Sequence, residues 1–494
     1  MSEKIAILCD MHLRNDPASS QYVYLLRAVE AMQRDGIQTV LTLGDLTASG
    51  DPAAWALYLA AVRPFAHCEV IGNSDVRDAA TREELLTRTA NAELWLDKRR
   101  VIGLSTPNGV ISDSDFARLA GARDGDIVLL HYYLDVLKPE SRARLDAVLK
   151  EKQLLVLHGH GHRDFDYTLG RSRVMGFRGL DPDKASGGYP CVCYLTLGKE
   201  VVREEVTFAP LRETIESVQA HLGVSCVDLW EDLSYALEHG IGYVELRCDK
   251  KDWRYDPALL PLIEAWRKRT NGFLSVHMPN LKWRDGQVVG AERWHEVLAY
   301  ALLLHADHLT IHPPRRTCRR DVLENKTCFD ALLSYYVNAV RRLPDGTTVG
   351  IENLHWDKGD AIDENRPFAL IPEEQLLWVD AINEALGRPG RVGCLLDTGH
   401  ARNNGALAKF YPLSRWYAAI GPRAVAYHIH QSVKQEDGGL KNHKPIEDWL
   451  GSMISYCGFF DAWERGILNH APIFLEVKGW RNHEISIRAL ERLL

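Results

Sequence analysis

Carboxylates and imidazoles in this sequence gather where apolar runs break off. In "LLVLHGHGH" the residues His158, His160 and His162 alternate with small ones at the end of a strand-like run. If that strand stays extended, all three share one face. A lone histidine there is ordinarily solvated or hydrogen-bonded, so the stretch carries chemistry only if it has partners elsewhere. Asp10 and His12 follow "IAILC", Asp45 follows "LTLG", Asn73 and Asp75 follow "EVIG", and His131 follows "IVLL". Each fragment alone is a common turn. In series they meet the needs of a two-metal centre, in which one carboxylate bridges cations about 3.5–4 Å apart and each cation takes further oxygen and imidazole ligands. Asp45 is the expected bridge, with Asp10, His12 and His162 around one ion and Asn73, His131 and His160 around the other. Mixed N/O ligands without thiolate suit Mn, Fe or Zn.

A second set lies in the C-terminal half. His277, His312, Glu352, Asp397 with His400, His428 and Glu476 each end an apolar run. Glu245, in "VELR", is a weaker member that could equally pair with Arg247, and His305, His308 and His355 read as structural or solvent-facing. In the basic stretch "HPPRRTCRRD", Arg315 or Arg316 is placed to fold over the site and take a phosphate or carboxylate bidentately. Trp283, Trp356 and Trp480 follow strand-like runs and could wall a pocket against a sugar or base ring, although core packing accounts for most tryptophans.

The elements that must hold these residues follow two rhythms. Residues 1–208 carry short apolar runs, the early ones separated by helical stretches such as "QYVYLLRAVEAMQRDG" and the last ones by turns alone. That pattern predicts a layered α/β sandwich closed by antiparallel strands. A linker is expected around "TFAPLRET". Residues 209–494 repeat one unit through "LGVSC", "YVELRC", "FLSVHMP", "HLTIHPP", "TVGIENLH", "GCLLDTGH", "AVAYHIHQ" and "PIFLEVKG". Eight strands alternating with helices predict a (β/α)8 TIM barrel, whose C-terminal rim is where such enzymes keep their active sites.

A chain of 494 residues exceeds what one core organises, which agrees with two domains. A formal charge of -8 supplies no general field for holding nucleic acid. The start "MSEKIAILCDMH" lacks the basic and apolar regions of a signal peptide, and no run approaches membrane-spanning length. The ten cysteines form no CxxC pair and read as reduced thiols, so a cytoplasmic protein is expected.

The series DMH, GD, GNSD, H and GHGH resembles that of the calcineurin-like metallophosphoesterases. The resemblance implies two metals that activate a water toward phosphorus, with Asn73 holding phosphoryl oxygens, Asp75 orienting a ligand, His160 and His162 serving one metal each, and His158 a bystander. Where that family commonly has a histidine that protonates the leaving oxygen, this chain has Ser74. "IEN", "LDTGH", "YHIHQS" and "LEVKG" resemble the xylose-isomerase-like barrels, the branch of sugar epimerases and AP endonucleases. That resemblance implies a centre of Glu352, Asp397, His428 and Glu476, with the two glutamates able to move protons at carbon. His277, His312, His400 and His443 match extra ligands of the AP endonuclease type, and His400 could instead touch substrate. One to three cations, Zn or Mn, are implied. Lys441 stands where that pattern has an aspartate, with Asp437 a substitute from the same loop, and a lysine there repels a third cation.

The expectation is a bifunctional metalloenzyme. Its front domain would hydrolyse a phosphate ester, and its barrel would isomerise, epimerise or hydrolyse a related sugar or sugar phosphate. A repair or defence nuclease acting on DNA or RNA is the second reading, and a phosphoesterase with a ligand-binding barrel the third.

Overall fold

The computed structural model describes residues 3–91, 93–436, 439–451 and 453–494, so the expected role of Asp437 lies outside the described residues. The chain divides into two compact units, Met1–Ala209 with Leu450–Gly458, and Pro210–Trp449 with Phe459–Leu494.

The first unit holds β1 (Glu3–Leu8), β2 (Thr39–Leu43), β3 (Ala66–Val70), β4 (Glu93–Leu96), β5 (Arg99–Gly103), β6 (Ile127–Leu130), β7 (Leu155–His158), β8 (Phe165–Leu169), β9 (Ser172–Gly176), β10 (Cys191–Leu197) and β11 (Val201–Thr207). They form two sheets, ordered β11-β10-β1-β2-β3 and β4-β5-β6-β7-β9-β8. Alternation along the strands decides the layers. Ile5, Ile7, Leu41, Leu43 and Val70 of one sheet pack with Val101, Ile127, Leu129, Leu155 and Leu157 of the other. The residues between them face helices, through Ala6, Leu8 and Val40 on one side and Ile102, Val128 and Leu130 on the other. The runs that end at the expected ligands, in "IAILC", "LTLG", "EVIG", "IVLL" and "LLVLHGHGH", all form strands, namely β1, β2, β3, β6 and β7. Missing from the sequence reading are β4, β8 and β11, and the exposed patterns of "FDYTL" and "VVREEVT" explain why two of them are silent.

The second unit contains β12 (Leu222–Cys226), β13 (Tyr243–Arg247), β14 (Phe273–His277), the hairpin of β15 (Lys282–Arg284) and β16 (Gln287–Val289), β17 (His308–Ile311), β18 (Thr348–Glu352), β19 (Gly393–Asp397), β20 (Ala424–Ile429), the hairpin of β21 (Gln431–Lys434) and β22 (Leu440–Lys444), and β23 (Ile473–Leu475). Eight of them close a barrel in the order β12-β13-β14-β17-β18-β19-β20-β23, the eight runs expected. Parallel register brings the rim residues to one level, with Arg247 opposite His277 and Asp397 opposite His428. No helix among the described residues is long and apolar enough to cross a membrane. All ten cysteines are free thiols.

Candidate metal centres

In the first unit the expected ligands come from the loops that leave β1, β2, β3, β6 and β7. The first two loops are zipped together by Asp10 N to Gly44 O at 3.0 Å and His12 N to Asp45 O at 2.9 Å. Strand β7 stops at His158, and His160 and His162 take φ of 64° and 51°. The three histidines therefore do not share a face as an extended strand would require. His160 joins Asp45 and His131, while His162 joins Asp10 and His12, the potential ligand atoms of each group lying within 4.8 Å of one another. His158 is buried with Nδ1 3.1 Å from Gly159 O, and burial holds its pKa down at about 4.

Asp45 lies between the groups. Its Oδ2 is 3.1 Å from His12 Nε2, and its Oδ1 is 3.5 Å from His131 Nε2. His131 Nε2 is also 3.1 Å from Asn73 Oδ1 and 3.1 Å from His160 Nδ1. Burial raises the Asp45 carboxyl, but His131 and His12 hold it well below the ordinary range. At Gly72 a Cβ would collide with Asp45 Oδ1, so the loop after β3 approaches the carboxylate only as glycine. Of twelve described non-glycine residues at positive φ, Asp10, His12, Asp45, His160, His162 and His443 are all expected ligands, and such strain concentrates at functional sites.

One expectation changes here. Asp75 does not turn toward a ligand. Its carboxylate accepts from Thr47 N at 2.7 Å, Thr47 Oγ1 at 2.8 Å, Gly72 N at 2.9 Å and Leu46 N at 3.3 Å, so it stitches the two loops that carry Asp45 and Asn73. Ser74 is fully buried and donates its hydroxyl to Asp45 Oδ2 at 3.0 Å. Sequence reasoning missed Asp181, whose Oδ2 is 3.3 Å from His12 Nδ1 and whose Oδ1 accepts from Gln21 Nε2 at 2.9 Å. Burial and Lys184 lower the His12 pKa, yet the hydrogen bonds with Asp181 and Asp45 lift it to about 9.

In the barrel, Glu352 is central and fully buried. Its Oε2 is 3.1 Å from His277 Nε2 and 3.0 Å from His312 Nε2, while its Oε1 is 3.2 Å from His400 Nδ1 and 3.3 Å from His428 Nδ1. His277 and His312 are oriented through Nδ1, against Met278 O at 3.1 Å and Asn280 Oδ1 at 2.6 Å, an outer support typical of metal-binding imidazoles. Asp397 Oδ2 is 3.3 Å from His400 Nδ1, and Glu476 Oε2 is 3.1 Å from His428 Nδ1 and 3.6 Å from His443 Nδ1.

Glu245 does not pair with Arg247. It lies in the barrel interior with Oε1 3.0 Å from His428 Nε2, and it accepts from Ser225 at 2.9 Å, Ser275 at 3.1 Å and Thr310 at 2.5 Å. Arg247 is held by Asp249 at 2.9 and 3.0 Å and caps Glu476 Oε1. Burial opposes a charge on His428, but Glu245 and Glu352 lift its pKa to about 10. Arg316 turns out to Asp357 at 3.5 Å, an exposed pair, whereas Arg315 makes no side-chain hydrogen bond or ion pair among the described residues. Trp480 packs on Tyr235 with ring centres 5.8 Å apart, a helix contact rather than a pocket wall. Lys441 is exposed and sits opposite Val433 in its hairpin.

Divalent cations fit both clusters. Asp10 Oδ1, His162 Nδ1, His312 Nε2, Glu352 Oε1, Asp397 Oδ2, His400 Nε2 and Glu476 Oε2 are buried atoms that face other ligand residues without a hydrogen-bond partner. Unsatisfied atoms of this kind, gathered on carboxylates and imidazoles, are what a metal satisfies.

Residues 3–185 match the calcineurin-like phosphoesterase family, and residues 233–493 match the xylose isomerase-like TIM barrel family. No curated protein matches the chain. A dimetal phosphatase from Danio rerio is 13% identical over 42% of this chain and 96% of its own, with a TM-score of 0.34. A D-tagatose 3-epimerase-like protein is 19% identical over 55% of this chain and 96% of its own, at 0.40. A Thermus thermophilus protein soaked with zinc chloride is 22% identical over 55% and 97%, at 0.35. The chain belongs to the xylose isomerase-like TIM barrel family, and it carries a calcineurin-like phosphoesterase domain in front of the barrel.

Proposed function

We propose that the chain is a bifunctional phosphoesterase, with a front centre that hydrolyses a small phosphate ester and a barrel centre that hydrolyses the phosphate ester of a sugar. One observation carries this reading. Each centre is built on a buried carboxylate, Asp45 or Glu352, whose two oxygens face different imidazoles, the arrangement by which one carboxylate bridges two cations. Cations held by these residues would supply Lewis acidity and lower the pKa of a water toward neutrality. In the front centre Asn73 presents its Oδ1 to His131, which leaves its Nδ2 able to donate to a phosphoryl oxygen. Because the Ser74 hydroxyl donates its hydrogen bond to Asp45, position 74 protonates no leaving group, which suits an ester whose leaving oxygen is a weak base.

In the barrel, hydrolysis is favoured over proton transfer at carbon. Glu476 has Oε1 capped by Arg247, and its unpartnered Oε2 would be taken by a cation, which leaves no oxygen to accept a proton from a sugar carbon. Arg315 supplies an uncommitted cation for the phosphate, and Lys250 and Lys282 feel its charge. The test is isotopic, made on Asp45→Asn protein so that the front centre is silent. In 18O-labelled water the phosphate released by the barrel carries the label, and in deuterated water the recovered sugar carries no new deuterium at carbon. Deuterium at carbon without phosphate release would establish an isomerase or epimerase instead.

A further inference from the structure

We propose that Tyr133 and Phe165, with Tyr132 and Arg163 beside them, form a ring-binding subsite next to the front centre, and that the ester this centre takes is an aryl phosphate. The proposal names the substrate class of that centre and so rests on the phosphoesterase reading above.

The four side chains come from the two loops that carry His131 and His160. Tyr132 and Tyr133 directly follow His131 at the end of β6, and Arg163 and Phe165 follow His162 where β8 begins. The ring centre of Tyr132 is 4.3 Å from that of His160, and the ring centre of Tyr133 is 5.9 Å from it. Tyr133 and Phe165 stack with centres 6.0 Å apart and planes 24° from parallel. The Arg163 guanidinium stands 4.8 Å from the Phe165 ring centre, and no carboxylate holds it among the described residues. A planar cation of this kind stacks on a ligand ring as well as on Phe165.

The backbone is cut back to admit Phe165. A Cβ at Gly161, between the expected ligands His160 and His162, would lie 2.9 Å from Phe165 Cε2, and one at Gly176, its partner on β9, would lie 2.7 Å from Phe165 Cδ2. Glycine at both positions lets the ring close on the loop that carries the two histidines. Packing alone does not account for the surface these rings keep. Tyr132, Tyr133 and Phe165 stay half-buried, whereas Tyr24, Tyr58 and Phe177 in the cores of the same unit are buried. Aromatic surface left beside a polar centre is what a planar ligand covers.

An observation independent of the rings points to the same ligand. The Ser74 hydroxyl is engaged with Asp45, so position 74 supplies no proton to a leaving oxygen. An aryl oxide, with a pKa near the ~10 of tyrosine, departs unprotonated far more readily than an alkoxide, whose basicity is close to that of hydroxide at ~15.7. In the hydrolysis a water oxygen bonds to phosphorus and the bond from phosphorus to the aryl oxygen breaks. One water proton stays on the phosphate and the other passes to solvent, while the aryl oxide leaves with the bonding pair and is protonated from solvent. The ring that makes the oxide a weak base is the ring that Tyr133 and Phe165 receive.

The test uses full-length, metal-loaded protein carrying Glu352→Gln, so that the barrel centre is silent, with Tyr133→Leu, Phe165→Leu or Tyr133→Phe added singly. Phenylphosphonate and methylphosphonate, whose carbon–phosphorus bond does not hydrolyse, are titrated calorimetrically, and phosphate release from phenyl phosphate and from an alkyl phosphate is followed separately. Phenylphosphonate is expected to bind about 10-fold more tightly than methylphosphonate, the scale of stacking on the paired rings. Either leucine variant lowers that ratio toward equality, and Tyr133→Phe, which keeps the ring, retains it. Equal affinity for the two phosphonates, or a preference that survives both leucine variants, overturns the subsite. A ring preference with no phosphate released from either ester keeps the subsite and counts against the phosphoesterase reading. Release from both esters with no ring preference keeps that reading and overturns the subsite.

Discussion

Glu245 lies 3.0 Å from His428 Nε2, and the pair fixes which nitrogen of His428 faces Glu352 and Glu476. Carboxylate support behind a metal-binding imidazole governs affinity. Glu245→Gln is expected to weaken barrel metal binding about 10–100-fold. The front centre should keep its turnover. Calorimetric titration of stripped protein measures this, and unchanged barrel affinity would show that Glu245 serves packing alone.

Asp75 accepts four donors with its two oxygens, and an asparagine cannot replace it, because its amide would place donors against donors. Asp75→Asn is expected to cost about 1–3 kcal/mol for the groups left unpaired. Denaturant unfolding of the variant gives the value. A fall in front-centre turnover with no loss of stability would return Asp75 to the catalytic machinery.

Those two residues also show what the sequence could and could not convey. Strand-end placement picked out the residues that the structure gathers into the two clusters, because a run of apolar residues that stops at a polar one marks a strand leaving its cover. It did not say which way a side chain turns afterwards, so Asp75 was assigned to a ligand when it serves the loop that carries Asp45. Asp181 was invisible because its place depends on long-range pairing, Leu180 N to Cys9 O at 3.0 Å and Asp181 N to Asp10 O at 3.1 Å. Glu245 sits one layer inside the barrel, where only its hydrogen bonds distinguish a support from an ion-pair partner.

Arg315 has no hydrogen-bond or ion-pair partner for its side chain among the described residues, whereas Arg316 has Asp357. Arg315→Ala is expected to raise the KM of the barrel reaction for a phosphorylated substrate about 10–100-fold, as losing a charge-assisted hydrogen bond of about 1.5–3 kcal/mol requires. Arg316→Ala should leave it within about twofold, the scale of an exposed pair. Steady-state kinetics at two salt concentrations checks both.

Burial of His483 holds its pKa at about 4, below the ordinary 6.5. The unfolded chain binds this proton more readily, so the stability contributed by the neutral ring is full above about pH 6.5 and is lost as pH falls toward 4. The span corresponds to about 3 kcal/mol. His483→Gln should flatten the pH dependence of unfolding in that window; an unchanged slope would mean other groups carry it.

Two centres that act independently, one on Asp45 and one on Glu352, are tested most directly by turnover and metal content. The whole chain is compared with Asp45→Asn and Glu352→Gln over sugar phosphates, cyclic nucleotides and abasic-site DNA. Asp45→Asn is expected to lose phosphate release from one small ester, and Glu352→Gln a separate hydrolysis, each keeping the other's activity and metal. Loss of DNA cleavage in both variants, with small esters untouched throughout, would contradict this and make the protein a nuclease.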